Sequence, residues 1–138
     1  MDENGQQGFS WDDAARIVQR AEDTFNRGDI DSILGRYADG VIIRFAGIPE
    51  INGKAAAELF LRARFARQRN YRLRKTLFMV SGFRIGATYT ASWEDARTQC
   101  KVLGRGLEFW EYRDGKLVLW EAALNIWSEG ADPAAAFL

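Results

Sequence analysis

The sequence predicts an α+β domain in which a cone-shaped, curved antiparallel sheet wraps three helices held in the first half of the chain. Three observations carry that prediction. Apolar residues recur at helical spacing in three segments before Asn70. Four long segments after it carry strand patterns rich in β-branched and aromatic residues. Turn signals at Gly28, Asp39-Gly40, Gly53, Ser81-Gly82 and Asp114-Gly115 fall between the segments.

Residues 1–9 are polar with two glycines and read as a flexible leader. Ser10 is a hydroxyl cap ahead of Asp12 and Asp13, acids suited to a helix's positive end. Ala14, Ile17, Val18, Ala21 and Phe25 then form an apolar stripe to about Arg27. Gly28 supplies a left-handed stop, and Asp29 caps a short second helix with Ile30, Ile33, Leu34 and Tyr37 on one side. Asp39-Gly40 breaks the pattern, and the β-branched run 41–45 is a strand packed on both sides. Gly47, Pro49 and Gly53 end it. A third helix spans 54 to about 70, with Ala55, Ala56, Leu59, Phe60, Ala63 and Ala66 along one stripe and Arg62, Arg67 and Arg69 facing water. The remaining strands cover 71–81, 83–94, 102–112 and 117–127, so one domain spans 10–128 and 129–138 is a tail.

Bulk properties exclude several function classes. At 138 residues, 47% of them apolar, the chain is long enough for one core and too apolar to be disordered. Nineteen basic side chains balance nineteen acidic ones, so no net field draws nucleic acid or an anionic membrane. No apolar run approaches a membrane span, and a soluble, cytoplasmic protein is expected. The single cysteine, Cys100, forms neither an intrachain disulfide nor a Cys-rich metal site and reads as a buried thiol. Histidine is absent, which removes His-based triads, His-ligated zinc and any imidazole base. No metal and no cofactor is expected, and chemistry must run on carboxylates, tyrosines, lysines or water. Arg62, Arg64, Arg67, Arg69, Arg72, Arg74 and Lys75 are the one local basic run. With no phosphate loop beside it, the run reads as a solvated face with salt bridges to Glu58 or Asp39.

Phe25-Asn26-Arg27-Gly28-Asp29, Ile33-Leu34 and Tyr37-Ala38-Asp39 resemble the opening of nuclear transport factor 2-like and polyketide cyclase SnoaL-like proteins. Phe60-Leu61, Phe65-Ala66-Arg67, Tyr71-Arg72-Leu73, Ser81-Gly82, Arg84-Ile85 and Trp93 resemble a bacterial branch called domain of unknown function 1348. Gly106, Glu108 and Trp110-Glu111-Tyr112 match its Gly-x-Glu-x-Trp-Glu-aromatic run, and Ala122-Ala123-Leu124-Asn125 is similar to its last segment. The resemblance covers roughly residues 12–127 and implies a cystatin-like cone with a pocket inside. It departs at Glu94 and Ile126, where the branch commonly carries histidine and aspartate.

Alternation puts Gly104, Gly106, Glu108, Trp110 and Tyr112 on one face of their strand, with Leu107 and Phe109 on the other. Similarity to limonene epoxide hydrolase turns the first set toward the cavity. Glu108 is then the leading candidate acid or base, because burial raises a carboxyl's pKa toward neutrality. By the same similarity Glu94 matches the hydrolase's first catalytic aspartate, so the two carboxylates are a candidate acid–base pair. The hydrolase's second aspartate falls at Ala122 and its arginine at Ser92, which argues against that enzyme's mechanism. Trp110 and Trp120 are candidates to sandwich a planar or terpenoid-like ligand, with Phe45, Phe60, Leu124 and Ser92 around them. Arg44 is a candidate for orienting a carbonyl or anion, its face left open by the pattern, and Asn125 points away if Leu124 points in.

Two functions fit these residues: cofactor-free isomerisation, dehydration, cyclisation or hydrolysis of a small apolar or partly polar molecule, or non-catalytic binding of one. A protein-interaction module is a further alternative. Leu107, Phe109, Leu119 and Trp127 on the convex face call for cover, and a homodimer is expected there.

Overall fold

The computed structural model describes residues 7–135 and Leu138. Its elements are α1 (Trp11–Arg27), α2 (Ile30–Gly35), β1 (Tyr37–Phe45), β2 (Ile51–Asn52), α3 (Lys54–Arg67), β3 (Gln68–Ser81), β4 (Arg84–Asp95), β5 (Lys101–Arg113) and β6 (Lys116–Ser128). The caps work as their chemistry requires. Ser10 Oγ accepts from Asp13 N–H at 3.1 Å, and Asp29 Oδ1 accepts from Ser32 N–H at 3.2 Å. Gly28 closes α1 at φ 62°, a left-handed conformation that a side chain would strain. No helix is long and apolar enough to cross a membrane among the described residues.

The six strands form one curved, unclosed sheet in the order β2-β1-β6-β5-β4-β3. Every pairing is antiparallel except β1–β6, which is parallel. The expected antiparallel sheet therefore carries one parallel junction. Asp39-Gly40 lies inside β1, in an irregular stretch where the register to β6 shifts between Tyr37 and Ile42. α3 ends at Arg67, short of the expected 70, because Gln68 and Arg69 pair with Asp95 and Glu94 as the start of β3.

The helices cover one face of the sheet. α1 contributes Ala14, Val18 and Phe25 to the core and α3 contributes Ala57 and Leu61, against Ile85, Tyr89, Trp93, Trp110 and Trp120 of the sheet. β3 is an edge strand, and α1 caps its open backbone groups. Glu22 Oε1 accepts from Lys75 N–H at 2.7 Å, while Asn26 both accepts from Leu73 N–H (2.7 Å) and donates to Leu73 C=O (2.9 Å). These contacts clip helix to strand at alternate residues, so Leu73 and Lys75 both face inward beneath α1.

Two local readings are corrected. Phe9, read as leader, is docked: its N–H donates to Gly82 C=O at 2.9 Å and its ring packs edge-on to Phe83 (5.1 Å) and Tyr112 (5.5 Å). Residues 1–6 of that leader lie outside the described residues. Cys100, read as buried, is exposed in the β4–β5 connection, where its N–H donates to Thr98 Oγ1 at 3.3 Å.

Candidate functional site

Glu108 is the most deeply buried charged residue of the sheet, 1% exposed on the inner face of β5 between Gly106 and Trp110. Such burial is costly unless the charge is met, and the partner comes from two strands away. Lys75 of β3 donates from Nζ to Glu108 Oε2, with its side chain 5% exposed. The two sit diagonally across β4, because Lys75 pairs with Tyr89 and Tyr89 pairs with Gly106. Gly106 makes this crossing possible: a Cβ there would lie 2.5 Å from the Tyr89 ring and 2.7 Å from Ala123 C=O.

The ammonium rests in an aromatic cage. Lys75 Nζ is 4.6 Å from the Tyr89 ring centroid, 5.3 Å from Trp110 and 5.9 Å from Phe25. Burial pushes the Lys75 pKa down, and the adjoining Glu108 carboxylate only partly offsets it. Burial likewise pushes the Tyr89, Tyr37 and Tyr112 hydroxyls up, so all three stay neutral phenols.

Lys75 and Glu108 lie on the wall of a cavity of about 180 Å³ between α1, α2 and the sheet. Phe25, Trp110 and Trp120 supply its aromatic wall, and Ile33, Tyr37 and Leu117 its aliphatic and phenolic one. Arg20, Arg36 and Gly115 line it too and are exposed, which places the mouth between the two helices and the β5–β6 turn. Among the described residues, Glu108 Oε1 and Trp120 Nε1 have no hydrogen-bond partner in the protein. One buried acceptor and one buried donor therefore belong to residues that line the same cavity, on diagonally neighbouring positions of β5 and β6.

Of the residues singled out from sequence, Glu108, Trp110 and Trp120 come together here. Phe45 and Phe60 sit behind the site, packed edge-on to Trp120 with ring centroids 5.6 Å and 6.3 Å away. Leu124 is half-buried beside Gly104 and outside the cavity lining. Glu94 does not join Glu108. It is exposed, and with Ser92 it occupies the positions of β4 that alternate with the buried inner-face residues Ala91 and Trp93. Ser92 lines instead a shallow outer groove with Arg72 and Leu103. Arg44 is also outside, with Nε 2.7 Å from Glu50 and NH1 3.8 Å from Glu121. Asn125 is exposed. The partner of Glu108 is a lysine, not a second carboxylate.

The basic run divides. Arg62 meets Glu58 at 3.5 Å as expected, while Arg67 meets Asp95 at 3.0 Å, and no salt bridge to Asp39 forms among the described residues. Lys75 and Arg64 turn inward, contrary to a solvated face. Arg64 lies 5.2 to 5.9 Å from the rings of Phe45, Tyr71, Trp120 and Phe25 and donates to Gln68 Oε1 and Tyr71 Oη. The inner-face series Tyr71, Leu73, Lys75, Leu77 is the sequence signal that would have found the lysine.

The profile of the family described as "Protein of unknown function (DUF1348)" matches residues 7–127. No functionally curated protein matches the chain. Among solved structures, a candidate polyketide cyclase from Xanthomonas campestris pv. campestris is 27% identical, with 80% of this chain and 88% of that one covered and a TM-score of 0.69. A candidate isomerase from Bacillus subtilis is 17% identical, covering 81% and 86% at a TM-score of 0.71. A limonene-epoxide-hydrolase-like enzyme of M. tuberculosis is 18% identical, covering 80% and 81% at 0.64. The last two likenesses speak for the fold alone, which other structures described as nuclear transport factor 2-like share. With the profile spanning nearly the whole domain, the chain belongs to the DUF1348 family, on the nuclear transport factor 2-like fold.

Proposed function

We propose that the cavity takes up a small, mainly apolar molecule and that Glu108 moves a proton on it without a cofactor, in an isomerisation, dehydration, cyclisation or hydrolysis. One observation carries this reading: of two residues that line the cavity, Glu108 commits Oε2 to Lys75 and leaves its buried Oε1 without a protein partner, and Trp120 has an equally buried and unpartnered N–H. A carboxylate oxygen held in an apolar enclosure is a competent proton acceptor. An indole N–H of a residue lining the same cavity can hydrogen-bond an oxygen that gains charge as the proton leaves. Lys75 holds the carboxylate's other oxygen and so fixes its direction. The likeness to a protein described as a candidate polyketide cyclase supports the reaction class. The outward Glu94 and Ser92 give no support to a two-carboxylate epoxide hydrolase.

The test is exchange of the α-hydrogens of 2-indanone in D₂O, a carbon acid small enough to probe a site of this kind, followed by NMR alongside quenching of tryptophan fluorescence. Catalysis predicts quenching and exchange by the native chain, with quenching alone by Glu108→Gln. Quenching without exchange in either protein supports a non-catalytic binding module.

The outer face of the sheet carries Leu107 and Phe109 at 60% and 57% exposure, near Ile48 at 41%. A second copy of the chain covering this face is the partner we propose, in line with the usual cost of leaving such a patch in water. Sedimentation velocity at micromolar concentration tests it: a dimer is expected, and a monomer overturns it.

A further inference from the structure

Lys75 carries the one primary amine among the described residues that line the cavity, and proton transfer by Glu108 does not consume it. Resting on the cavity reading above, we infer that Lys75 captures carbonyl compounds, forming an imine with an aldehyde or an unhindered ketone that enters by the mouth between α1, α2 and the β5–β6 turn.

The geometry supplies what the chemistry needs. Lys75 lines the cavity, and the only hydrogen-bond partner of its Nζ among the described residues is Glu108 Oε2. Tyr89, Trp110 and Phe25 surround it with rings, and its side chain is 5% exposed, so water competes poorly for the amine. Desolvation of this kind activates lysine toward carbonyls by favouring the neutral form. Its charged surroundings are Glu108 on β5, Glu22 on α1 and Arg64 on α3, and the arginine adds to the effect of burial in pushing Lys75 down.

The step balances on these groups. Lys75 passes a proton to Glu108, and the neutral amine adds to the carbonyl carbon, forming the C–N bond while the C=O electron pair moves to oxygen. Glu108 delivers its proton to that oxygen and takes one from nitrogen, leaving a neutral carbinolamine. A second delivery from Glu108 to the hydroxyl expels water as the nitrogen lone pair forms C=N. The products are one iminium and one water, with Glu108 again a carboxylate. The positive charge of the iminium remains at the position where the cage and the carboxylate held the ammonium.

Benzaldehyde is the probe. The folded, full-length chain is treated with it and sodium cyanoborohydride at neutral pH, and benzylation is mapped over the four lysines, Lys54, Lys75, Lys101 and Lys116. Binding is followed separately by tryptophan quenching. The proposal expects Lys75 to be labelled about tenfold faster than any other lysine. It also expects Glu108→Gln to slow that label about tenfold while leaving Lys101 and Lys116 unchanged. The mapping on the native chain stands even if the variant does not fold. Quenching with label only on Lys54, Lys101 and Lys116 overturns the imine and leaves the cavity reading intact; absence of both quenching and Lys75 label overturns the two together.

Discussion

Replacing Glu108 with glutamine removes the carboxylate that hydrogen-bonds the buried Lys75 ammonium, and the cost can be worked from lysine's ordinary behaviour. Without its partner, Lys75 either stays charged in an aromatic cage or releases its proton. Releasing it at pH 7, against an ordinary lysine pKa of 10.5, costs about 1.36 kcal/mol for each pH unit between them. The loss is therefore capped at about 5 kcal/mol, and breaking a buried pair typically costs about 3–5 kcal/mol. At roughly 4 °C per kcal/mol the midpoint should fall by about 12–20 °C. A second signature has a fixed sign. The folded variant holds Lys75 neutral while the unfolded chain protonates it, so the unfolded state binds more protons and stability rises with pH. Urea unfolding followed by circular dichroism at pH 7, 8 and 9 should show a gain of about 1.4 kcal/mol per pH unit in Glu108→Gln, well above the native slope. Lys75→Met should lose a similar amount at pH 7, and the double variant Lys75→Met/Glu108→Met should recover most of the loss, because no charge is then left buried. Single variants within about 1 kcal/mol of native and a flat pH response would refute the argument, since exposed pairs behave that way.

Other parts of the scaffold give independent expectations. Gly106→Ala places a methyl 2.5 Å from Tyr89 and 2.7 Å from a β6 carbonyl that cannot swing aside, so a loss of about 1–3 kcal/mol in urea unfolding is expected. Asn26→Ala removes both side-chain bonds to Leu73 and should cost about 1–3 kcal/mol, with faster hydrogen exchange at the Leu73 amide read by NMR. Asp95 is held down to about 2, first by the Arg67 guanidinium and then by the Arg97 N–H. Its contribution is complete above the ordinary carboxylate pKa and lost as pH falls from about 4 toward 2, so Asp95→Asn should flatten the acid limb of a thermal-unfolding profile.

The helices, their caps and the four long strands were legible because each rests on local chemistry: a hydroxyl or carboxylate ahead of an apolar stripe, a glycine after it, alternation along a strand. The short β2 was not, since Ile51–Asn52 pairs only with β1 and carries no pattern of its own. Alternation grouped Glu108 with Trp110 on one face of their strand, and the family resemblance turned that face toward the cavity, where the structure has them with Trp120. Glu94 and Ser92 went to the wrong face because their position was borrowed from another protein's strand, where an offset of one residue inverts every side chain. Lys75 was hidden by its neighbours. Arg72 and Arg74 do face water, and only Asn26 and Glu22, reaching from 47 and 53 residues away, fix β3 beneath α1 so that the residue between solvent positions points in. Long-range contacts of that kind leave no trace in local composition.

The central claim, an apolar chamber whose reactive oxygen belongs to Glu108, is tested most directly by a crystal structure with 2-indanone bound. The account predicts the ketone between Phe25, Trp110 and Trp120, its oxygen about 3 Å from Trp120 Nε1 and Glu108 Oε1 facing an α-carbon. A ketone bound instead in the outer groove between Arg44 and Phe109, with Glu108 closed on Lys75 through both oxygens, would contradict it.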